Sequence, residues 1–428
     1  MIQGFSSGLI GNRELIYETD LPSFQRDFAA LKTLDHGTGP AITFTRASGA
    51  TFFDANGVLQ TAANDTPRFD HDPVTGESRG LLIEESRTNL LTHSADAANA
   101  AWGQVRLSVT ANAAASPDGT TTAEKIVENT DNNSHRIAAP SVSYVSGTTY
   151  TFSVFLKAAE RSQAYLAMHQ SNTGTAFSTN PSLLVNLTTG ATSGVTASVT
   201  ASSVTSVGSG WWRVSISATA TSSLTNQPSI FMADNTGQSA YTGDGTSGLF
   251  IWGAQLEAGA FPTSYIPTTT AAATRAADSA VVTPISSFYN QAEGTLFAET
   301  SVTSDIAGGR DVVTFNSDIA NNWIGLRWAG NTQAQFAVVA DNVTHVSIAA
   351  SGYTAAGVYK RIGVYKVDDF AQAINGTVVG TDTSGTLPVV SRLVFAASGN
   401  QVTLNGHIRK IAYWPKRLTD TLLQQLTT

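Results

Sequence analysis

The sequence predicts an all-β protein: antiparallel β-sandwich or jelly-roll domains in tandem, a small β-rich N-terminal region and a short C-terminal helix. Three observations lead there. Only 13% of the 428 residues are charged, while Thr, Ser, Gly and Ala dominate, and such a chain suits antiparallel sheets with one solvated face. Several runs alternate with period two, most clearly from Leu249 to Glu257. Gly, Asn, Ser and Pro separate those runs as turn residues do.

Residues 1–92 read as an N-terminal attachment or assembly region. Ile42 to Thr45 is a strand signal, and Asp54-Ala55-Asn56-Gly57 between Phe52-Phe53 and Val58-Leu59 is a hairpin signal. A two-stranded hairpin is marginal alone, so the region is expected to need a partner: the next domain, a second copy or the particle it serves. Asp70-His71-Asp72 precedes a proline with no second histidine at ligand spacing, and reads as a solvated turn in preference to a metal site. Adjacent Glu84 and Glu85 diverge in a strand and do not flank one glycosidic bond. One of them is expected to pair with Arg79 or Arg87.

Residues 93–270 are the least charged part of the chain and read as a jelly roll. Tyr150, Phe152, Val154 and Leu156 alternate with Thr151, Ser153, Phe155 and Lys157; Trp212, Val214 and Ile216 alternate with Trp211 and Arg213. In the 249–257 run, Phe250, Trp252, Ala254 and Leu256 share one phase and Leu249, Ile251, Gly253, Gln255 and Glu257 the other. The stretch from Pro267 to Asp278 is small, polar and unpatterned, and residues 271–284 read as a linker, with trypsin cleavage expected after Arg275. Residues 285–428 read as a second sandwich. They contain Asn375-Gly376, a strong hairpin signal, and end in a short helix with Thr419 as N-cap and Asp420 in the first turn.

Composition also bounds function. The formal net charge is −8 with no Lys/Arg cluster, so nucleic acid is not an expected partner and an anionic polymer feels no long-range attraction. There are no cysteines, hence no disulfide framework or thiolate chemistry. The opening MIQGFSSGLIGNREL lacks a cationic segment followed by an apolar run, and no 18 apolar residues occur in succession; neither a cleaved signal nor membrane insertion is expected. HExxH, the G-x-S-x-G elbow and phosphate loops are absent, and no catalytic residues are assigned.

Sugar binding needs a flat aromatic face and a few planar polar side chains. Strand phase selects Trp211, Arg213, Phe155, Lys157, Gln255 and Glu257 in the middle region, each opposite a core-facing position. With Ile324, Leu326 and Trp328 read as core, Trp323 and Arg327 are selected in the last. The competing reading is packing, because both faces of a sandwich strand can be covered. Asp234 and Asp244 lie in an oxygen-rich stretch that would suit a structural Ca²⁺, although its spacing is not that of an EF-hand loop; no other cofactor is expected.

FTRASGATFFDANG and RGLLIEESRTNLL resemble the opening region of many phage fibre, head-spike and tail proteins, over roughly residues 40 to 92. SPDGTTTAEKI, YTFSVFLKAAE, GSGWWRVSI and WGAQLEAG occur in the same order as in the carbohydrate-binding-module-like jelly rolls of such proteins, over 93 to 275. LNGHIRKIAYWPKRLTDTLLQQL resembles the end of a concanavalin A-like (laminin G-like) sandwich. The resemblance implies a head-spike or tail-fibre protein of a phage or of a phage-like particle of the gene-transfer-agent type. Such a protein would be made in the bacterial host cytoplasm and displayed on the virion surface. It would be a homo-oligomer held among capsid or tail proteins, and it would bind host capsular or surface polysaccharide without catalysis. The alternatives are a capsule-degrading spike glycosidase and a purely structural virion adaptor.

Overall fold

The computed structural model describes residues 21–169, 174–302, 309–317, 321–330, 332–353, 357–395 and 403–428; the opening MIQGFSSGLIGNREL lies outside them. The architecture is all-β, and every strand pairing among the described residues is antiparallel. It consists of two sandwiches in tandem.

The first sandwich packs two six-stranded sheets of described residues. One sheet runs in the order Val199–Ser206, Trp211–Thr219, Thr149–Ala158, Gly248–Ala258, Ala123–Glu128, Leu107–Ala114; the other runs Thr192–Ser193, Ser182–Asn186, Gln163–Ala167, Ser229–Ala233, Arg136–Ala138, Gly103–Val105. Phe152, Val154, Leu156, Val214 and Ile216 from the first sheet meet Ala164, Leu166, Leu183, Val185, Ile230 and Met232 from the second. The alternation read from Tyr150 to Lys157 and from Trp211 to Ile216 is the alternation observed. In the 249–257 run the phase breaks half-way. Gly253, at φ +61°, sits where the pairing with Thr149–Ala158 slips by one residue, a bulge that only glycine enters readily. The inward set is therefore Leu249, Ile251, Ala254 and Leu256. Phe250 and Trp252 turn to the opposite face, with Gln255 and Glu257 beyond them.

The second sandwich is completed by the N-terminal region. Its eight-stranded sheet contains Glu293–Val302 and Gly406–Trp414 at the centre, and the far edge of Gly406–Trp414 is shared end to end by Phe24–Asp27 and Ser78–Ile83. The facing seven-stranded sheet begins with Thr43–Thr45, which pairs with Ser279–Val282. Phe24, Phe28, Ile42, Phe44, Leu81 and Ile83 are thereby buried in one core with Leu296, Phe315, Leu326, Phe336 and Tyr413. The partner that this region needs is the sandwich at the other end of the chain.

Local signals hold where they were strong. Ala50–Phe53 and Leu59–Ala62 form the expected hairpin, with the Asp54 carboxylate accepting from the Asn56 and Val58 amides. Asn375 and Gly376, at φ 45° and 79°, join Asp369–Ile374 to Thr377–Asp382 as a primed turn requires. The helix Asp420–Thr427 starts at Thr419, whose hydroxyl accepts from the Leu422 amide, and it lays Leu423 on the outer side of the eight-stranded sheet beside Phe297 and Trp414.

Two expectations are corrected. The 271–284 stretch is not a free linker: Ala273–Arg275 pairs with Arg87–Asn89, Ser279–Val282 is a sheet strand, and Arg275 is buried. Asp70-His71-Asp72 is not a solvated turn. Asp70 and His71 are buried in the strand Phe69–His71, with the Asp70 carboxylate 2.8 Å from His407 Nε2, and Asp72 caps the following turn and pairs with Arg79.

A chain beginning at residue 93 should therefore fail to form the second sandwich, since it lacks Phe24–Asp27, Thr43–Thr45, Phe69–His71 and Ser78–Ile83. Its thermal unfolding, followed by circular dichroism, should lack the full-length transition. A cooperative melt at the full-length midpoint would contradict this topology. In the full-length chain, trypsin should spare the Arg275–Ala276 bond while the protein is folded.

Candidate functional site

The face of the first sandwich that carries Trp211, Arg213, Phe155, Gln255 and Glu257 does lie opposite the main core, as strand phase requires. It is nevertheless not a surface. The hairpin 50–62 and the segment 259–268 cover it, forming a second core of Leu59, Phe155, Val207, Trp211, Trp252 and Tyr265. Trp211 is 2% exposed and its indole donates to the Ala115 carbonyl at 3.1 Å. Phe155 lies edge-on to Trp252 and Tyr265 at 5.5 and 6.1 Å, with the Arg213 guanidinium 5.4 Å from its ring. Gln255 and Glu257 are fully buried: Glu257 accepts from the amide and hydroxyl of Thr263 and from Gln255, whose own oxygen takes the Ile266 amide. Phe155, Gln255 and Glu257 hold the segment 259–268, while Trp211 and Arg213 are engaged with Ala115 and Ser153. Lys157 stays half-buried at the rim of this face, alongside Gly210.

Beneath that cover sits a buried charge cluster. Glu84 Oε2 receives Arg68 at 2.7 Å and Arg275 at 2.6 Å, and the Ser264 amide and hydroxyl donate to Glu84 at 2.7 and 2.6 Å. Asp278 bridges Arg68 and Arg46 at 2.6 and 3.1 Å and takes the Glu84 amide at 2.8 Å. Burial by itself would raise the Glu84 carboxyl; the guanidiniums of Arg275 and Arg68 more than reverse this and hold it below the usual carboxylate range. Glu85 pairs with Arg87, as one of the two glutamates was expected to do.

In the second sandwich Ile324, Leu326 and Trp328 are core and Trp323 faces outward. Trp323 is only 6% exposed, closed in by Ala337 and Val339, with the Arg327 guanidinium 5.3 Å from its ring. Arg327 also lies 3.9 Å from Asp311, and the 6% exposure of Trp323 leaves little ring surface for a sugar. Asp234 and Asp244 are engaged in their own turns. Asp234 accepts from Thr236 and Gln238, and Asp244 from Thr246 and Ser247. Among the described residues no group of three His, Asp or Glu side chains converges as a metal site would require.

An aromatic surface lies elsewhere, on the outer face of the sheet that ends in Thr192–Ser193. There the register places Val105, Arg136, Phe231, Tyr165 and Leu184 directly opposite one another on five successive strands. At the usual strand spacing this row is about 19 Å long. Its neighbours along each strand, Ile137, Ile230, Leu166 and Leu183, point into the core. Phe231 and Tyr165 are partly exposed, Arg136 and Leu184 are buried, and the Arg136 guanidinium lies 5.6 Å from the Phe231 ring. At one end the turn 234–238 forms a wall, tied down by the Tyr165 hydroxyl on the Gly237 carbonyl at 3.0 Å and by Gln163 on Asn235 at 2.8 Å. A strip with two ring faces and a guanidinium suits the apolar face and hydroxyls of a sugar chain. The alternation in QAYLA and SIFMA is the sequence signal for it.

No family model matches the sequence, and no curated protein matches it. Among solved structures, the chain is similar to the CBM40 of Ruminococcus gnavus IT-sialidase bound to α2,3-sialyllactose. The identity is 10% and the TM-score 0.29, over 32% of this chain and 84% of that one. It is similar to the NanB sialidase of Streptococcus pneumoniae at 14% identity and TM-score 0.28, over 34% of this chain and 26% of the other. A structure described as a receptor binding domain gives 12% identity and TM-score 0.29, over 36% and 40%. Likenesses this distant carry none of the functional argument.

Removing one partner from a buried ion cluster costs about 3–5 kcal/mol, and Glu84→Gln should fall near that range in urea unfolding at pH 7. The folded carboxyl lies below its unfolded value of about 4.3. Its contribution is therefore complete above that pH, begins to decline below it and is fully lost only as pH falls through the lower folded value. The gap between wild type and Glu84→Gln should narrow below about pH 4; a gap independent of pH would contradict the cluster's role.

Proposed function

We propose that this chain is a non-catalytic glycan-binding protein of a phage or phage-like particle, attaching that particle to polysaccharide on a bacterial surface. The observation that supports the reading is the outer-face row Arg136, Phe231, Tyr165 on the first sandwich, in which the two rings are partly exposed and the guanidinium is sunk beside Phe231. It pairs ring faces with a planar donor, and its backing core and turn 234–238 hold it in place. Each such strip is shallow and its affinity modest. Many copies on one particle would convert weak contacts into stable attachment through effective concentration.

A structural adaptor is the second reading, and one observation favours it. The motifs that resemble phage spike and fibre proteins supply Arg46, Glu84 and Glu257, which are internal. Their resemblance to phage proteins therefore reflects how the chain closes on itself and says nothing of what it binds. Binding of purified host capsule separates the two readings.

Phe231→Ala should weaken capsule binding measured by biolayer interferometry roughly tenfold, the scale of losing one aromatic contact. Its melting temperature should stay close to wild type, because the ring stands outside the main core. Trp211→Ala should do the opposite: as a core truncation it should cost about 3–5 kcal/mol and leave the affinity of the folded fraction unchanged. Undiminished binding by both Phe231→Ala and Tyr165→Ala would overturn the proposed face.

A further inference from the structure

One end of the aromatic row carries a concentration of positive charge that the fold does not neutralise. Arg136 is 6% exposed. Its Nε is buried without a hydrogen-bond partner, and its guanidinium lies against Phe231. Arg106 stands beside it, held by Nε on the Ser134 carbonyl at 2.7 Å and Nη2 on the Ser134 hydroxyl at 3.2 Å. Among the described residues neither arginine makes an ion pair with a carboxylate. Arg46, Arg68, Arg161 and Arg275 each face at least one acid, and the buried Arg26 and Arg361, which make no ion pair, donate to backbone carbonyls. Burial first, and then the like charge of Arg106, pull the Arg136 guanidinium below its ordinary range, with no acid acting against them. A buried arginine that folding leaves uncompensated is stabilised when an anion arrives, and planar guanidinium matches carboxylate geometry best.

We propose that Arg136 and Arg106 form a subsite for the carboxylate of an acidic sugar, a uronate-type residue in a polysaccharide whose neighbouring rings lie over Phe231 and Tyr165. The proposal rests on the glycan-binding reading above and names the chemical class of that glycan. The acid group would contact Arg136 at the Val105 side of the row, and the chain would run across the strands toward the turn 234–238. The net charge of −8 provides no general attraction for such a polymer, so recognition depends on this local pair.

The test uses the full chain with tetramers of galacturonate, glucuronate and mannuronate, and with the methyl ester of each, which keeps the ring and removes the charge. Binding is read by calorimetry and by the arginine Nε–Hε signals in nuclear magnetic resonance. At least one acid tetramer should bind roughly tenfold or more tightly than its ester, shifting the Arg136 signal. Arg106→Gln should abolish most of that difference, and Arg136→Lys should do so too if it remains folded by circular dichroism. Equal binding of acid and ester would overturn the acidic assignment and leave the glycan reading standing. Binding of none of the six would overturn the acidic assignment, and capsule binding by wild type against Phe231→Ala and Tyr165→Ala decides the glycan reading separately. A shift of the Arg136 signal by sodium sulfate or inorganic phosphate alone, as strong as that produced by the acid tetramer, would mark a general anion site and overturn the sugar assignment.

Discussion

The interaction on which the rest of the structure depends is the buried cluster of Arg46, Arg68, Arg275, Glu84 and Asp278. Its members come from segments far apart in the chain, and each guanidinium there is matched by a carboxylate within 3.1 Å. Charges removed from water in this way are costly unless every one is paired. The N-terminal region, the 259–268 segment and the 273–282 stretch must therefore arrive together or not at all. Ser264 adds the first sandwich to the cluster, and Glu84 brings the strand Ser78–Ile83 that pairs with Gly406–Trp414 of the second. Thr51, whose hydroxyl donates to the Tyr265 carbonyl at 2.6 Å and whose carbonyl accepts from Arg68, links the hairpin cover to both.

That closure decides which faces are available for recognition. One sheet of the first sandwich is covered on both sides, by its partner sheet and by the hairpin 50–62, so its tryptophans are structural. The other sheet is covered on one side only, and its outer face keeps Phe231 and Tyr165 half-exposed. The outer side of the eight-stranded sheet is partly covered by the C-terminal helix, and the outer Trp323 of the seven-stranded sheet is capped by Arg327. Among the described residues the Phe231 row is where half-exposed rings and a guanidinium meet.

Strand phase was legible in the sequence; cover was not. The alternation through Tyr150–Leu156 and Trp212–Ile216 correctly separated the two faces of those strands. Period-two patterning cannot say what lies above the second face, because Leu59 and Phe53 reach it from about 100 to 200 residues away. The bulge at Gly253 breaks the phase of the 249–257 run, and a glycine inside an apolar strand is the sequence signal for such a bulge. The pairing of Phe24 with Tyr413 had no local signature at all. The candidate aromatic face was legible in principle, since Phe231 and Tyr165 each alternate with core residues. Tryptophan is the weaker guide to such a face, because a large ring is as readily buried as displayed.

If the charge cluster joins the two sandwiches, loosening it must be felt in both. Native-state hydrogen exchange, resolved by residue and compared between wild type and Glu84→Gln at pH 7, measures this directly. Protection should fall together in Thr149–Ala158 of the first sandwich and Glu293–Val302 of the second. Loss of protection confined to residues 78–89, with both central strands unchanged, would contradict the account.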